Sequence, residues 1–418
     1  MGRKNILMIS MEYPPFLRGG VGTHVASLVQ SLSQRNYHLY VLTVSPSAVP
    51  VREEKNITVI SVATDVDDHS RYSRQTLGQF YQTVNDRFIK NALHYFQGRV
   101  AQPHLIHCHD FHGFPAAAEL RSRFHVPIVC TVHLLHEPLA RWGGGLAPEA
   151  YVELEQRMCT EADHLIAVCS GFKNLIEECY SALHAPVSIV RNGLELKDFS
   201  VPSTWKCEMV EARTSLGIKQ EKILLFSGRF TAQKSIVEII RTAHEVNRLR
   251  NDTIFLFAGH YEDSEYARTV RTALREYPSP PGQLRFLGKL SREDLIRYYQ
   301  IATVALMPSL YEGMPYSALE AMALQVPVIA TDTCGLEDLI VDRMSGLLIP
   351  LNVVPNQVVA KNMEAREVDM AAFTSAQLEV LEQPSFAEDL GRCAQEQVHR
   401  ENHIDRMIDE TVRIYAAL

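Results

Sequence analysis

The sequence predicts an α/β protein of two doubly wound parallel-sheet domains in tandem. Three features of its 418 residues carry that prediction. Short apolar runs without polar alternation recur along the chain, as expected of strands covered on both faces. Amphipathic helical stretches separate most of them. The series is interrupted by a polar stretch from about Glu195 to Glu221, which contains Pro202, and then begins again.

Taken in order, NILMIS (5–10) reads as a buried strand, followed by a Pro/Gly loop and a helix from about Thr23 to Gln34. YHLYVLTV (37–44) and ITVISVA (57–63) are further strands, and a long helical stretch spans 73–96. LIHCH (105–109), PIVCTVH (127–133), HLIAVCS (164–170) and VSIVRNG (187–193) complete the first series. The second has strands at 222–228, 253–259, 284–288, 303–309, 327–331 and 346–350. Its helices are expected to start near Lys234, Asp263, Arg292, Tyr316 and Glu337. From Val354 onward the chain reads as mostly helical, closing on the amphipathic HIDRMIDETVRIYAAL. The expected division is a first domain over 1–200, a linker over 201–221 and a second domain over 222–401. The last helix, about 402–418, is expected to return to the first domain.

Composition excludes several classes. With 41 Lys+Arg against 49 Asp+Glu, the net charge of −8 disfavours a protein that coats nucleic acid or anionic membrane. A small anionic ligand needs only a few local cations and is not excluded. No apolar run reaches the length of about 18 residues needed for a membrane span. The opening ILMIS is too short for a signal-peptide core. Eight cysteines are dispersed among apolar segments without a CxxC pair, which reads as reduced core thiols of a cytoplasmic protein.

Ligands of open α/β sheets sit beyond the carboxyl ends of the strands, and with two such domains the expected site is the cleft between them. Gly19-Gly20-Val21-Gly22 follows the first strand and precedes a helix, so backbone can approach an anion there. A dinucleotide fingerprint fails: the third glycine position is Val25, and the second strand ends in Thr43-Val44-Ser45 with no acid for a ribose. A glycine-rich turn without a ligand is the competing reading. PHLIHCHDFHG offers zinc-ligand residue types in His104, His107, Cys108, His109, Asp110 and His112. On a strand, however, His107 and His109 share one face with Cys108 opposite, and no second cluster at ligand spacing completes a site. No metal is therefore expected, and Asp110 at the strand end is the better cleft-facing group, with a plain strand-end acid the alternative. Asp65-Val66-Asp67-Asp68 matches a short DxD cation pattern, but a solvated acidic turn is the favoured reading. His133 ends another strand; it is placed for proton transfer or a contact to a substrate oxygen, or is simply structural.

In the second series, SGRFTAQKS puts Arg229 after a strand and Lys234 at the start of the next helix, a diphosphate receptor if the two are not merely exposed cations. In PSLYEGMPYSALEAMALQVPVIAT, Glu312 follows a strand and Glu320 lies in the next helix, with Gly313 permitting close approach and Pro315 suited to a helix start. Carboxylates accept from paired sugar hydroxyls. A surface salt-bridged pair is the alternative, but it leaves the glycine and proline unexplained.

Together these residues resemble glycosyltransferase family 4, whose GT-B fold has two Rossmann-like doubly wound domains facing across a cleft. EGMPYSALEAMALQVPVIAT resembles the family's E-x7-E signature, SGRFTAQKS its G-R-x4-K stretch, and RNGLELKDF its N-G segment before the linker. RGGVGTHV, HCHDFHG, TVH and GLLIP follow in the family's order, and EYPPFLRGGVGTHV and TVHLLHEP are similar to the glycogen-synthase-like branch.

The resemblance implies a donor site of Gly20, Gly22, Arg229, Lys234, Glu312, Gly313, Met314, Pro315, Tyr316, Ser317 and Glu320. In it Glu320 binds ribose hydroxyls, Glu312 sugar hydroxyls, and Arg229 and Lys234 the pyrophosphate, with backbone N–H groups of Met314 to Ser317 completing the cradle. His133 would contact the sugar beside the reacting carbon, and Asp110 and His109 would face the acceptor. The implied activity is retaining transfer of a hexosyl unit from a nucleotide diphosphate sugar, UDP-sugar favoured, to a small-molecule or glycan acceptor hydroxyl. Front-face attack with the leaving phosphate taking the acceptor proton is implied, with no cofactor required. Glucan elongation from ADP- or UDP-glucose and a non-catalytic sugar-nucleotide-binding regulator are the rivals. Two departures stand out: GMPY replaces the more frequent GFGL, and Leu17 occupies the position of the glucan synthases' lysine, with Arg18 offset by one. The segment around 352–384 is longer than usual.

Overall fold

The computed structural model describes residues 3–64, 77–138, 148–180, 182–199, 205–261, 264–359 and 363–418. The Asp65–Asp68 turn lies outside them. In chain order the first elements are β1 (Lys4–Ile9), α1 (Gly20–Ser33), β2 (Tyr37–Ser45), β3 (Arg52–Glu54), β4 (Ile57–Ala63), α2 (Leu77–Phe96), β5 (Leu105–His109) and α3 (Phe114–Phe124). They are followed by β6 (Ile128–Val132), α4 (Glu149–Glu161), β7 (His164–Ala167), α5 (Ser170–Cys179) and β8 (Val187–Ile189). Then come α6 (Trp205–Ser215), β9 (Lys222–Ser227), α7 (Ile236–Leu249), β10 (Thr253–Ala258), α8 (Ser264–Glu276), β11 (Leu284–Gly288), α9 (Arg292–Ile301), β12 (Val304–Met307) and α10 (Tyr316–Ala323). The chain closes with β13 (Val328–Thr331), α11 (Cys334–Leu339), β14 (Leu347–Ile349), β15 (Leu351–Val359), β16 (Met363–Val368), α12 (Met370–Glu382), α13 (Pro384–Glu401) and α14 (Ile404–Ala417).

Among the described residues two compact units result, one containing 3–138, 148–193 and Ile404–Leu418, the other Leu194–His403. The first holds an eight-stranded sheet ordered β3-β4-β2-β1-β5-β6-β7-β8, parallel except for β3. Helix α1 shows why the pattern folds this way: Val25, Leu28, Val29 and Leu32, spaced to share one face, are all fully buried against β1 residues Ile6 and Met8. Truncating one of them, such as Leu28→Ala, would cost about 2–5 kcal/mol. The terminal helix α14 joins this core through Met407, Ile408 and Tyr415, and Arg35 ties it at the surface to Asp405 and Asp409. The short strand β3, wholly exposed and reading Arg-Glu-Glu, pairs antiparallel with β4 and puts charge on the sheet edge, which discourages pairing with another chain.

The second unit holds a six-stranded parallel sheet ordered β11-β10-β9-β12-β13-β14. Its core is built from Leu224, Phe226, Phe255 and Phe257 of the strands and Ile239, Ile240, Phe373 and Val380 of the helices. Within the stretch expected as a linker, α6 packs on α9.

One expectation fails. The chain after Val354 does not turn helical at once, because β15 and β16 form an antiparallel hairpin and helix begins only at Met370. LNVVPNQVV is rich in Val and lacks a helical apolar stripe, a strand composition that the helical reading passed over.

Candidate active site

In a parallel sheet every strand ends at the same edge, and the crevice opens where the strand order reverses. In the second unit that reversal lies between β9 and β12. The loops after these two strands are therefore neighbours, and they are stitched together: Leu310 N–H donates to Gln233 O (2.9 Å) and Gln233 Nε2 to Tyr311 O (2.5 Å). This brings Lys234 onto Glu312, Nζ donating to Oε1, with the side chains only 15% and 10% exposed. The sequence expectation gave these residues to separate parts of a ligand; the structure pairs them with each other. Lys234 ends a 3₁₀ turn, Ala232–Lys234, and Ser235 in the left-handed region (φ 54°) leads into α7. Arg229 is half-buried in the same loop.

The loop after β12 is held from behind. Gly335 N–H donates to Glu312 O (3.1 Å), and a Cβ at Gly335 would lie 1.2 Å from Gly313 O, so only glycine lets α11 approach. Thr333 Oγ1 donates to Leu310 O (3.3 Å). Pro315 is the N-cap of α10 (φ −71°, ψ 129°), which starts at Tyr316 as expected, and as in any helix the first-turn N–H groups of Tyr316 and Ser317 have no acceptor within it. The Met314 and Tyr316 side chains are buried, and the Tyr316 hydroxyl has no hydrogen-bond partner. Fully buried Tyr299 ties β9 to α10, its hydroxyl bonded to Ser227 Oγ (2.5 Å) and to Ser317 O (3.0 Å). On α10, Glu320 is 8% exposed, and burial raises its carboxyl to about 7 against the opposing pull of Arg292. The Arg292 guanidinium lies 4.0 Å from Glu320 and over the Phe199 ring.

In the first unit the strand order reverses between β1 and β5. Of the two glycines expected there, Gly20 begins α1, and Gly22 is buried where a Cβ would press on Leu17 (2.6 Å) and the Glu12 carboxylate (2.9 Å). Glu12 Oε2 accepts from the N–H groups of Arg18 and Gly19, both 2.9 Å, so those two amides are already occupied.

His109 pairs in register with Thr131 of β6, which brings His133 alongside it: His109 Nδ1 and His133 Nε2 are 3.2 Å apart and the rings stack. His24 reaches the same place from α1, its ring edge-on to both others, and its Nδ1 bonds Asn192 Oδ1 (2.9 Å). Burial lowers the His24 imidazole to about 4 and holds His109 and His133 well below the usual range, so all three are neutral near pH 7. His107, on the same strand face, is consumed structurally by Tyr415 of α14 (2.6 Å) and Thr131 (2.7 Å).

Two acceptor-side expectations are revised. His109 is 2% exposed, enclosed by other rings rather than open to an acceptor. Asp110 is 6% exposed, and its Oδ1 accepts from His133 N–H (2.7 Å) and Leu134 N–H (3.3 Å). Burial raises its carboxyl to about 7, the two amides opposing. Its backbone (φ 57°, ψ 172°) is a conformation that costs about 1–3 kcal/mol outside glycine, maintained by these bonds and by Asp110 N–H to Thr131 O. Asp110 thus positions His133. Buried Glu155 of α4 supports the same loop further on, accepting from the His136 and Glu137 amides and from Tyr180. The sequence marked neither Glu12, His24, Glu155, Arg292 nor Gly335 for a role; the available signals were a histidine in the first turns of a helix and a glycine after a strand.

Residues 18–198 match the family described as Glycosyltransferase Family 4, and residues 209–365 that described as Glycosyl transferases group 1. The chain is 27% identical to an alpha-maltose-1-phosphate synthase of Mycolicibacterium smegmatis, over 98% of both chains. It is 24% identical to a glycogen synthase of Mycobacterium tuberculosis, over 99% of this chain and 94% of that one. Among solved structures, sucrose-phosphate synthase from Thermosynechococcus elongatus superposes with a TM-score of 0.80 at 21% identity, over 99% of each chain. Anabaena HepE in complex with UDP-glucose superposes with a TM-score of 0.74 at 13% identity, over the full length of both. Matched in order through both halves, the chain is a glycosyltransferase of the GT-B fold and belongs to glycosyltransferase family 4, beside its glycogen-synthase-like members.

Proposed function

We propose that the protein transfers a hexosyl unit, with retention at the anomeric carbon, from a nucleotide diphosphate sugar to an acceptor hydroxyl, with a UDP-sugar as the favoured donor. The observation that carries this reading is the Lys234–Glu312 pair at the second unit's switch point, beside the first-turn amides of α10 and the Glu320–Arg292 pair. A diphosphate takes the ammonium, and Glu312 is released to accept from sugar hydroxyls. Exchanging one partner for another keeps a largely buried cation compensated, which a site of lone charges does not. Glu320 accepts from the ribose hydroxyls.

In the chemical step the bond from the anomeric carbon to the diphosphate oxygen breaks and the bond to the acceptor oxygen forms, the acceptor proton passing to the departing phosphate. Negative charge grows on the diphosphate, and Arg229, Lys234 and the α10 amides stabilise it more in the transition state than in the ground state. His133, neutral and held by Asp110, donates to or accepts from the sugar without adding charge. No cofactor and no metal enters this step.

Thermal-shift titration with UDP-, GDP- and ADP-sugars tests the donor, since a ligand selective for the folded state raises Tm by mass action. The anomeric configuration of the product by NMR tests retention; an inverted product sinks that part. The curated glycogen synthase relative supports a second reading, glucan elongation. Leu17 at the position of the glucan synthases' lysine counts against it. Incubation with glycogen and with small sugars at one fixed donor separates the two.

A further inference from the structure

We propose that His24, His109 and His133 form a binding site for a borderline transition-metal ion of the Zn2+ class, and that an ion held there inhibits transfer. The inhibitory half rests on the role given above to His133.

One nitrogen from each of the three rings lies within 4.8 Å of the others. Imidazoles on a tetrahedral zinc at about 2.0–2.1 Å have their nitrogens about 3.3 Å apart. The His109–His133 pair is already at that spacing, 3.2 Å, so only His24 must approach, by a side-chain rotation. The remaining features are those of a ligand set rather than of a core. His24 has its second nitrogen on Asn192 Oδ1 at 2.9 Å; a carbonyl oxygen only accepts, so Nδ1 carries the proton and Nε2 keeps its lone pair. That is the outer bond by which a metal-binding histidine is oriented. His109 Nε2 is buried with no hydrogen-bond partner, a nitrogen for which the fold supplies no donor or acceptor. It can carry the proton that Nδ1 must give up for a metal, the ion then replacing the hydrogen bond between His109 Nδ1 and His133 Nε2. His133 is the partly exposed member, which gives the ion an entry path and leaves a position for water.

Three neutral imidazoles suit Zn2+, Co2+ or Ni2+ and do not suit Mg2+ or Ca2+, which prefer oxygen ligands. The reading of the local sequence missed this set because His109 was weighed against strand neighbours. Its partners come instead from α1 and from the end of β6, 85 and 24 residues away (109 − 24 and 133 − 109). An ion occupies the His133 nitrogen that would otherwise meet the sugar, so metal and productive donor exclude each other.

The test uses full-length protein stripped with EDTA and dialysed. Titration with Co2+ should give one equivalent with the intense visible bands of a four-coordinate site of three nitrogens and one water, and calorimetry should show one Zn2+ displacing it. His24→Ala and, as a second variant, Asn192→Ala should weaken Zn2+ at least tenfold while circular dichroism and Tm report that they are folded. Binding that persists unchanged in both folded variants, or no binding up to millimolar Zn2+, overturns the site and leaves the transferase reading intact. In the activity arm, Zn2+ should inhibit competitively with the sugar donor, and His24→Ala should need at least tenfold more Zn2+ relative to its own uninhibited rate. Stoichiometric binding without inhibition keeps the site and overturns both the exclusion and the contact assigned to His133.

Discussion

At the switch point of the first sheet the gathered side chains are three imidazoles, two buried and one partly exposed; at that of the second they are an ammonium, a guanidinium and two carboxylates. The backbone device is the same in both, a reversal of strand order with loops converging beyond the strand ends. The contents differ in charge. Burial drives the imidazoles of the first unit toward their neutral form, and in the second it pushes Glu320 the same way while Lys234 and Glu312 stay compensated by pairing. One fold can thus present an uncharged surface for hydroxyl groups and a charged one for a diphosphate, by the choice of a few loop residues.

The comparison breaks most visibly at Arg229. If the second unit supplies the charge stabilisation, Arg229→Ala lowers kcat by about a hundredfold or more, the effect expected of losing one preorganised donor. Near-wild-type turnover with the true substrates would remove the charged site from the account. Next comes Glu320. Its carboxyl is raised from 4.5 to about 7, so its neutral form favours the fold below about 4.5 and that contribution is lost as pH rises through about 7. Glu320→Gln should flatten this decline, leaving the variant more stable above pH 7 by on the order of 3 kcal/mol and equal to the parent at low pH. A Tm difference that does not vary with pH would mean that Glu320 ionises normally.

A smaller effect separates positioning from direct contact at Asp110. Asp110→Ala strands the His133 and Leu134 amides and should cost about 1–3 kcal/mol, with a matching fall in Tm and in kcat. Asp110→Asn keeps an acceptor oxygen and should restore most of both. If Asn proves as damaging as Ala in kcat, the negative charge itself faces the acceptor, as the resemblance implied. The smallest expected effect is that of a chelator: excess EDTA should leave turnover undiminished, or raise it where Zn2+ is present. Complete loss that added metal reverses would point back to the Asp65–Asp68 carboxylates.

Much of the fold was legible residue by residue. The strands at 57–63 and 105–109 occupy the ranges their apolar runs mark, because a buried strand cannot hide its composition, and the half-exposed edge strand at 284–288 was bounded correctly as well. The hairpin at 351–368 was not legible as such, since a long Val-rich stretch of mixed polarity has no strong period of its own and takes its structure from pairing. In the candidate site, Arg229, Lys234, Glu312 and Glu320 stood out through spacing against glycine and proline. Gly335 did not, because its role is a close approach of backbone to Gly313, and no local pattern reports that.

By itself the sequence determined most of the strands and helices of the two doubly wound series and the charged loop residues, because these follow from local periodicity and turn chemistry. Only the tertiary structure decided which strand ends are neighbours. Setting β5 between β1 and β6 turned a lone strand histidine into one of three, and setting β12 beside β9 paired Lys234 with a carboxylate 78 residues away. Side-chain chemistry is local, but a site is a property of sheet order, which depends on the packing of the whole unit.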